Sequence, residues 1–522
     1  MRLSPSQNGD TNSGHPKVIV ERLNAAFRTG KTRSYDFRKA QLTQLLRFFD
    51  ENTDTLCEAL WKDLHKPRQE AILTEIEIVK NEIRKCLHDL KKWMGPHPVE
   101  KSISTLMDNP YILYEPYGTV LIIGAWNYPV NLLLSPMVGA IAAGNCVLLK
   151  PSEVSENTER TIEQLLPRYL DKDCFEVVCA GPEDTGRILK EKFDYIFYTG
   201  STMVGKIVYE AAAKHLTPVT LELGGKSPVF VDSTADMYLT AKRIMWGKNL
   251  NAGQTCIAPD YVLCTPAVQG KLVDAMKKAS KDLLADPKQA PDFCRIVSTR
   301  QFDRLKGLLE QQNVAFGGDV DTTSRYISPT VLRDVDPESP VMKQEIFGPI
   351  LPIVPVKDID SAINFVNSGE KPLALYVFTN DNNVSDKILR QTTSGGACIN
   401  DVIMHCAVDA LPFGGVGSSG IGSYHGFSSF ETFSHKRSVL QKKLGWDFLL
   451  ASRYPPYSNS KINTTTALLK YRPALPKWLG TAIVFGAGAL SGYVLRLLTN
   501  PQQLPREVRE VVYGDVPMHD GM

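Results

Sequence analysis

Between Thr119 and Asn400 the chain alternates short β-branched or aromatic runs with stretches long enough for a crossover helix, and no other feature constrains the fold as strongly. Thr119 to Ile123, Cys146 to Leu149, Phe175 to Cys179, Tyr195 to Tyr198 and Val229 to Val231 form one series. Tyr261 to Cys264, Leu351 to Val356, Ala374 to Phe378 and Ala397 to Asn400 resume the alternation, which predicts a second α/β domain. Brief runs of this kind predict parallel strands covered on both faces. Such sheets take their ligands beyond the C-terminal strand ends, so candidate chemistry belongs in the loops just after the runs.

Upstream the period changes to that of helices. Leu42, Leu45, Leu46, Phe49, Leu56 and Leu60 recur at spacings of three and four before Pro67, and Ile72, Ile76, Val79, Ile83, Leu87 and Leu90 predict a second amphipathic helix. At 522 residues, and roughly 150 per domain, two or three cores are expected. Lysine and arginine total 59 against 57 acidic residues, so no global charge imbalance marks the chain as a nucleic-acid binder. The ten cysteines show no C-x-x-C pair or metal-ligand spacing, and the polar stretch before Val18 has no apolar run for a secretory signal. The body therefore reads as cytosolic, with reduced thiols and no metal.

The composition from Gly445 to Ser460 shifts toward Tyr, Pro, Ser and Asn and reads as a linker. Leu479 to Leu495 is then a run of 17 residues without a charge, with Lys470, Arg472 and Lys477 before it and Arg496 after it. From Trp478 to Leu498 a helix would reach roughly 30 Å, the thickness of the hydrocarbon layer, and Trp478 and Tyr493 lie near its ends where interfacial aromatics belong. A buried core helix is the competing reading. The basic flank upstream puts the body on the cytosolic side, leaving a short lumenal tail.

Several strand-end loops carry residues able to do chemistry. Cys256, in Asn251-Ala252-Gly253-Gln254-Thr255-Cys256, occupies a small, polar, glycine-bearing loop where a carbonyl could reach sulfur and backbone N–H groups could hold an oxyanion. Taken alone, an inert buried thiol is the better reading of any one of the ten cysteines. Glu222, inside an apolar run ending in Gly224-Gly225, suits a desolvated general base, or an edge-strand glutamate facing water. Asn127 directly follows Thr119 to Ile123 and could donate to an oxyanion or simply form a turn. Lys150 and Glu153 follow the next run, where they could bind a nucleotide ribose or line a solvated loop. Gly200-Ser201 opens a segment reaching Gly205 that suits phosphate binding at a helix N-terminus, although it is neither G-x-G-x-x-G nor a P-loop.

Taken together, GAWNYP, LLKPSE, FYTGST, LELGGKSP, NAGQTC, EIFGP and LPFGG, in this order between Val18 and Leu444, resemble the aldehyde dehydrogenase superfamily. The CIAPDYVL continuation and SYHGFSSFETFSHKR are similar to class 3 members, and the apolar C-terminus to the membrane-bound fatty aldehyde branch. The resemblance implies oxidation of medium- to long-chain aldehydes to carboxylates with NAD, NADP being possible. It makes Cys256 the nucleophile, Asn127 with the Cys256 N–H the oxyanion donors, and Glu222 the base that activates water against the thioester. It also puts Trp126, Lys150, Glu153, Gly200, Ser201, Gly205, Glu345 and Phe347 around the cofactor, and Phe413 to Gly415 over the closed site.

The implied architecture is a Rossmann-type cofactor domain (17–101 and 116–222), an α/β catalytic domain (223–424) and a small bridging β element (102–115 and 425–444) that pairs in a homodimer. A linker (445–477), a transmembrane anchor (478–498) and a lumenal tail (499–522) would follow, the endoplasmic reticulum being the expected membrane. Two rival uses of the same residues stay open here: an NAD-independent cysteine esterase or thioesterase, and a membrane-tethered scaffold.

Overall fold

A computed structural model describes residues 15–102, 105, 108–445 and 447–470. The chain divides into two compact units, one of Met1–His97 with Leu113–Arg437, the other of Pro98–Ile112 with Ser438–Met522.

The first unit contains two sheets. One has six strands in the spatial order Gly420–Ile421, Val219–Glu222, Tyr195–Thr199, Thr119–Ile123, Cys146–Lys150, Phe175–Val177. The last five run parallel, and Gly420–Ile421 lies antiparallel against Val219–Glu222 at the edge. Thr119–Ile123 starts in the middle; the chain steps outward to Phe175–Val177, then returns to build the other half from Tyr195–Thr199. That reversal opens a crevice between the loops following Ile123 and Thr199. The second sheet has seven strands in the order Val314–Phe316, Thr330–Leu332, Ile350–Pro355, Tyr261–Cys264, Pro228–Val231, Ala374–Phe378, Gly396–Ile399, antiparallel only at its first pair.

The strands form where the runs predict because both faces are covered. Every residue of Thr119–Ile123, Cys146–Lys150 and Tyr195–Thr199 is buried. Each fully enclosed aliphatic side chain contributes roughly 1.5–3 kcal/mol. Continuous apolar runs, rather than alternating ones, follow from that double cover. Observed bounds differ by a residue or two: Phe175 to Cys179 shortens to Phe175–Val177, and Ala397 to Asn400 shifts to Gly396–Ile399.

The first helical pattern becomes Tyr35–Leu64, capped by Ser34, whose hydroxyl accepts from Phe37 N–H. The second begins not as a regular helix but as a π-helical turn, Ile72–Ile76, before Glu77–Trp93. Glu75 explains the difference: a fully buried carboxylate sits in that turn, where a regular apolar stripe would have placed a hydrocarbon.

In the second unit Asp108 pairs with Lys442 at 2.5 Å, and Asn109 donates its amide to Gln441 at 3.5 Å. These contacts belong to a three-stranded sheet ordered His97–Pro98, Asn109–Pro116, Ser434–Gln441. Within the stretch read as a linker, a short 3-10 segment spans Asp447–Arg453 and a helix spans Asn459–Leu469. The anchor at 478–498 and the tail at 499–522 lie outside the described residues. Among the described residues no helix is long and apolar enough to cross a membrane.

Candidate active site

Cys256 follows a loop whose backbone is held in an uncommon shape. The helix Met237–Asn249 ends, and Asn251, Ala252 and Gly253 then take φ values of 52°, 50° and 74°. Left-handed backbone suits asparagine and glycine but not alanine. A side chain at Gly253 would run into the carbonyl of Gly348, so only glycine fits. The strain is held by hydrogen bonds. Asn251 N–H donates to Glu70 at 2.8 Å, and its amide donates to the carbonyls of Asn127 and Gln254 at 2.8 and 3.1 Å. Gln254 donates to the carbonyls of Asn251 and Arg295 and accepts from Val297 N–H at 2.9 Å.

Asn127 reaches this loop from the other sheet. Its side-chain amide donates to the carbonyl of Gln254 at 3.0 Å, which leaves its second N–H for another acceptor. Beneath it, Lys66 and Glu75 form a fully buried ion pair at 2.5 Å. Lys66 also donates to the Asn127 carbonyl at 3.0 Å and lies 4.0 Å over the Tyr128 ring, while Glu75 accepts from Val130 and Asn131 N–H. Burial pushes the Glu75 carboxyl up, and Lys66 opposes that push.

Cys256 itself lines a cavity of about 690 Å³. Its walls are largely apolar, with Leu73, Ile78, Leu132, Trp246, Leu284 and Phe293 among them. Phe413 and Tyr424 also line it, their rings edge-on with centroids 5.8 Å apart. The thiol is pushed above its ordinary range, first by burial and then by the charges of Glu345 and Glu222.

Glu222 ends the parallel strand Val219–Glu222 and is 2% exposed, so the water-facing reading does not hold. Neither carboxylate oxygen has a hydrogen-bond partner, and burial pushes it well above the ordinary carboxylate range. An enclosed acid of this kind is a candidate for proton transfer.

The residues read as cofactor-binding gather at the strand ends of the six-stranded sheet. Trp126 and Phe347 meet edge to face at 5.3 Å, although 221 positions separate them. Lys150 pairs with Glu153 after the neighbouring strand. Ser201 caps the helix Thr202–Ala213, accepting from Val204 N–H; Gly200 precedes it, and Gly205 in its first turns lies against Leu223. Glu345 rests its carboxylate on the Gly224-Gly225 turn, where a side chain at Gly224 would displace it, and accepts from Gly225 N–H. Burial and Asp260 push Glu345 up to about 8. A second cavity of about 700 Å³, lined by Thr202, Lys206, Leu223 and Glu345, opens beside this turn. These groups fit a dinucleotide: a capped helix N-terminus for phosphate, a carboxylate and a lysine for ribose hydroxyls, and an aromatic pair beside the loop that carries Cys256.

The sequence profile of the aldehyde dehydrogenase family matches residues 11–439. The chain belongs to the aldehyde dehydrogenase family. It is 52% identical over 454 residues to aldehyde dehydrogenase family 3 member B1 of Bos taurus, covering 87% of this chain and 97% of that one. It is likewise 52% identical over 438 residues to the dimeric NADP-preferring aldehyde dehydrogenase of Rattus norvegicus, covering 84% and 97%. The substrate-bound AldH of Staphylococcus aureus superposes with a TM-score of 0.84 at 42% identity, covering 87% of this chain and 99% of that one. This aldehyde dehydrogenase is thus an NAD(P)-dependent oxidoreductase that converts aldehydes to carboxylates with the class 3 fold. The esterase and scaffold readings are not favoured.

Local sequence reading missed Lys66, Glu70 and Glu75. A signal did exist: Glu75 falls three residues after Ile72 and four before Val79, on the apolar stripe itself. Glu82 falls on the same stripe and is also buried, accepting from Gly426 N–H and the Ser429 hydroxyl. A carboxylate on a core-facing stripe must find donors, and here those donors are the chain beside Asn127 and the chain after His425.

Proposed function

We propose that this aldehyde dehydrogenase oxidises medium- to long-chain aliphatic aldehydes with Cys256 as nucleophile, Asn127 as oxyanion donor and Glu222 as general base. The observation that carries the reading is Cys256 lining a largely apolar cavity beside a loop tied to Asn127. Sulfur adds to the aldehyde carbon while the thiol proton passes to water, and the carbonyl oxygen becomes an alkoxide. The free N–H of Asn127 and the Cys256 N–H receive that oxygen. A bound NAD(P)+ would supply the hydride acceptor for that carbon, the oxygen returning to a carbonyl as the Cys256 thioester is left. Glu222 then takes a proton from water, the water oxygen bonds to the thioester carbon, and the Cys256 thiolate leaves as the carboxylate forms. Burial pushes both Glu222 and the thiol up in the free enzyme.

In this reading the six-stranded sheet belongs to the cofactor domain and the seven-stranded sheet to the catalytic domain. Lys150 and Glu153 bind the adenosine ribose, Gly200, Ser201 and Gly205 shape the pyrophosphate site, and Trp126, Glu345 and Phe347 border the nicotinamide ribose. The strand Asn109–Pro116 and the chain around Ser434–Gln441 bridge two copies in a homodimer.

The decisive assay is oxidation of hexadecanal with NAD by the wild type and Cys256→Ala. Loss of NADH formation in the variant supports the reading, and equal turnover overturns it.

The same reading has residues 478–498 anchor the enzyme in a membrane, with the body on the cytosolic side and the endoplasmic reticulum as the membrane. It rests on the uncharged run from Leu479 to Leu495 and its basic flank. Lipid-derived aldehydes dissolve in bilayers, so a tethered enzyme meets its substrate there. Removal of Trp478 to Met522 should release the protein from membranes into the soluble fraction during carbonate extraction. Retention of the truncated protein would exclude the anchor.

A further inference from the structure

Asn249 ends the helix that leads into the nucleophile's loop, and it lines the same cavity as Cys256. It is 9% exposed, and neither its amide nitrogen nor its amide oxygen has a hydrogen-bond partner. Several other polar groups on these walls are engaged. Glu70 accepts from Asn251 N–H and the Cys294 thiol, Asn131 donates to the Thr74 carbonyl, and Tyr128 shares a hydrogen bond with Thr255. Among the described residues, Asn249 is the buried cavity-lining side chain left with both amide atoms unpaired.

An enclosed amide without partners is expensive, because each lost hydrogen bond to water goes uncompensated. A hydrocarbon wall would avoid that penalty, and the neighbouring wall residues Trp246 and Leu250 are apolar. Rotation about the side-chain bonds is cheap by comparison and would turn the amide toward the void. A purely hydrocarbon substrate offers it nothing there. A substrate oxygen satisfies donor or acceptor, and a site built around such a bond discriminates far more sharply than one built on methylene contacts.

We propose that Asn249 is a specificity-determining residue that hydrogen-bonds an oxygen substituent on the aldehyde's carbon chain, so that the cavity takes hydroxylated aliphatic aldehydes. This rests on Cys256 being the nucleophile at this cavity. The residue touches the chain of the substrate and takes no part in proton or electron transfer.

The test compares decanal with a positional series of hydroxydecanals, using wild type, Asn249→Leu and Asn249→Ser, each with NAD. In the wild type, one hydroxyl position gives a kcat/KM equal to or above that of decanal, while the other positions fall below it. In Asn249→Leu that favoured position falls at least about tenfold relative to decanal, the size expected when a buried hydroxyl loses its partner. Asn249→Ser keeps a shorter hydroxyl and retains part of the preference. A wild type that prefers decanal over every hydroxydecanal overturns the proposal without recourse to any variant, and so does an unchanged ratio in Asn249→Leu. Failure of the nucleophile assignment would show separately, as decanal oxidation surviving in Cys256→Ala.

Discussion

Asn127 donates its side-chain amide to the carbonyl of Gln254 at 3.0 Å, tying the loop after the central strand of one sheet to the loop that carries Cys256. The Asn127 carbonyl receives Lys66 and the Asn251 amide in turn, so the asparagine is held from both ends. A donor fixed in this way loses little entropy when an oxyanion forms against its remaining N–H.

Replacing Asn127 with alanine should therefore lower kcat by roughly 10²–10³. The loss covers both the oxyanion bond and the tie to Gln254. Asn127→Asp should do no better, since a carboxylate has no N–H to offer. Steady-state oxidation of hexadecanal with NAD checks this; near wild-type kcat in the alanine variant would remove Asn127 from the mechanism.

Glu222 carries a prediction in two observables. Its carboxyl is pushed up by burial, so the folded state holds a proton that the unfolded state releases once pH exceeds the ordinary carboxylate range. Stability contributed by this group falls as pH rises from there toward its folded pKa. Glu222→Gln removes that penalty and should raise Tm at neutral pH by a few degrees, while hydrolysis of the thioester slows by roughly 10²–10⁴. Stopped-flow NADH formation should then show a burst followed by slow turnover. A full-rate steady state would sink the assignment.

Lys66 and Glu75 are each fully enclosed, and removing one strands the other. Lys66→Met should destabilise the protein by roughly 3–5 kcal/mol, whereas Lys66→Met with Glu75→Leu should recover much of that loss. Urea unfolding of the single and double variants measures the coupling. Additive losses would mean that the pair is not the unit holding the Asn127 loop.

Glu345 is pushed up to about 8 by burial and Asp260. If its carboxylate accepts ribose hydroxyls, cofactor binding favours the ionised form. The KM for NAD should fall as pH rises from 6.5 to 9, with the bend near about 8. Glu345→Gln should flatten that profile and raise the KM at pH 9 by about tenfold, the worth of one charge-assisted hydrogen bond.

Most of the parallel strands from Thr119 to Phe378 were readable one by one, because strands buried on both faces must be apolar throughout their length, whereas Val219–Glu222 and Thr330–Leu332 were not among the runs read. The motif series singled out Cys256, Glu222 and Asn127 as candidates. Local pattern could not choose between a water-facing and an enclosed Glu222, nor could it find Lys66, Glu70 and Asn249. Those choices depend on what lies opposite each side chain, and the partners come from elements up to hundreds of positions away: Gly420 beside Glu222, Asn251 against Glu70, Trp126 against Phe347. Periodicity reports which face of an element is buried. Only the packed tertiary structure decides whether a polar group on that face is paired, strained or left with an unsatisfied charge, because burial turns each missing partner into a free-energy cost that water would otherwise have hidden.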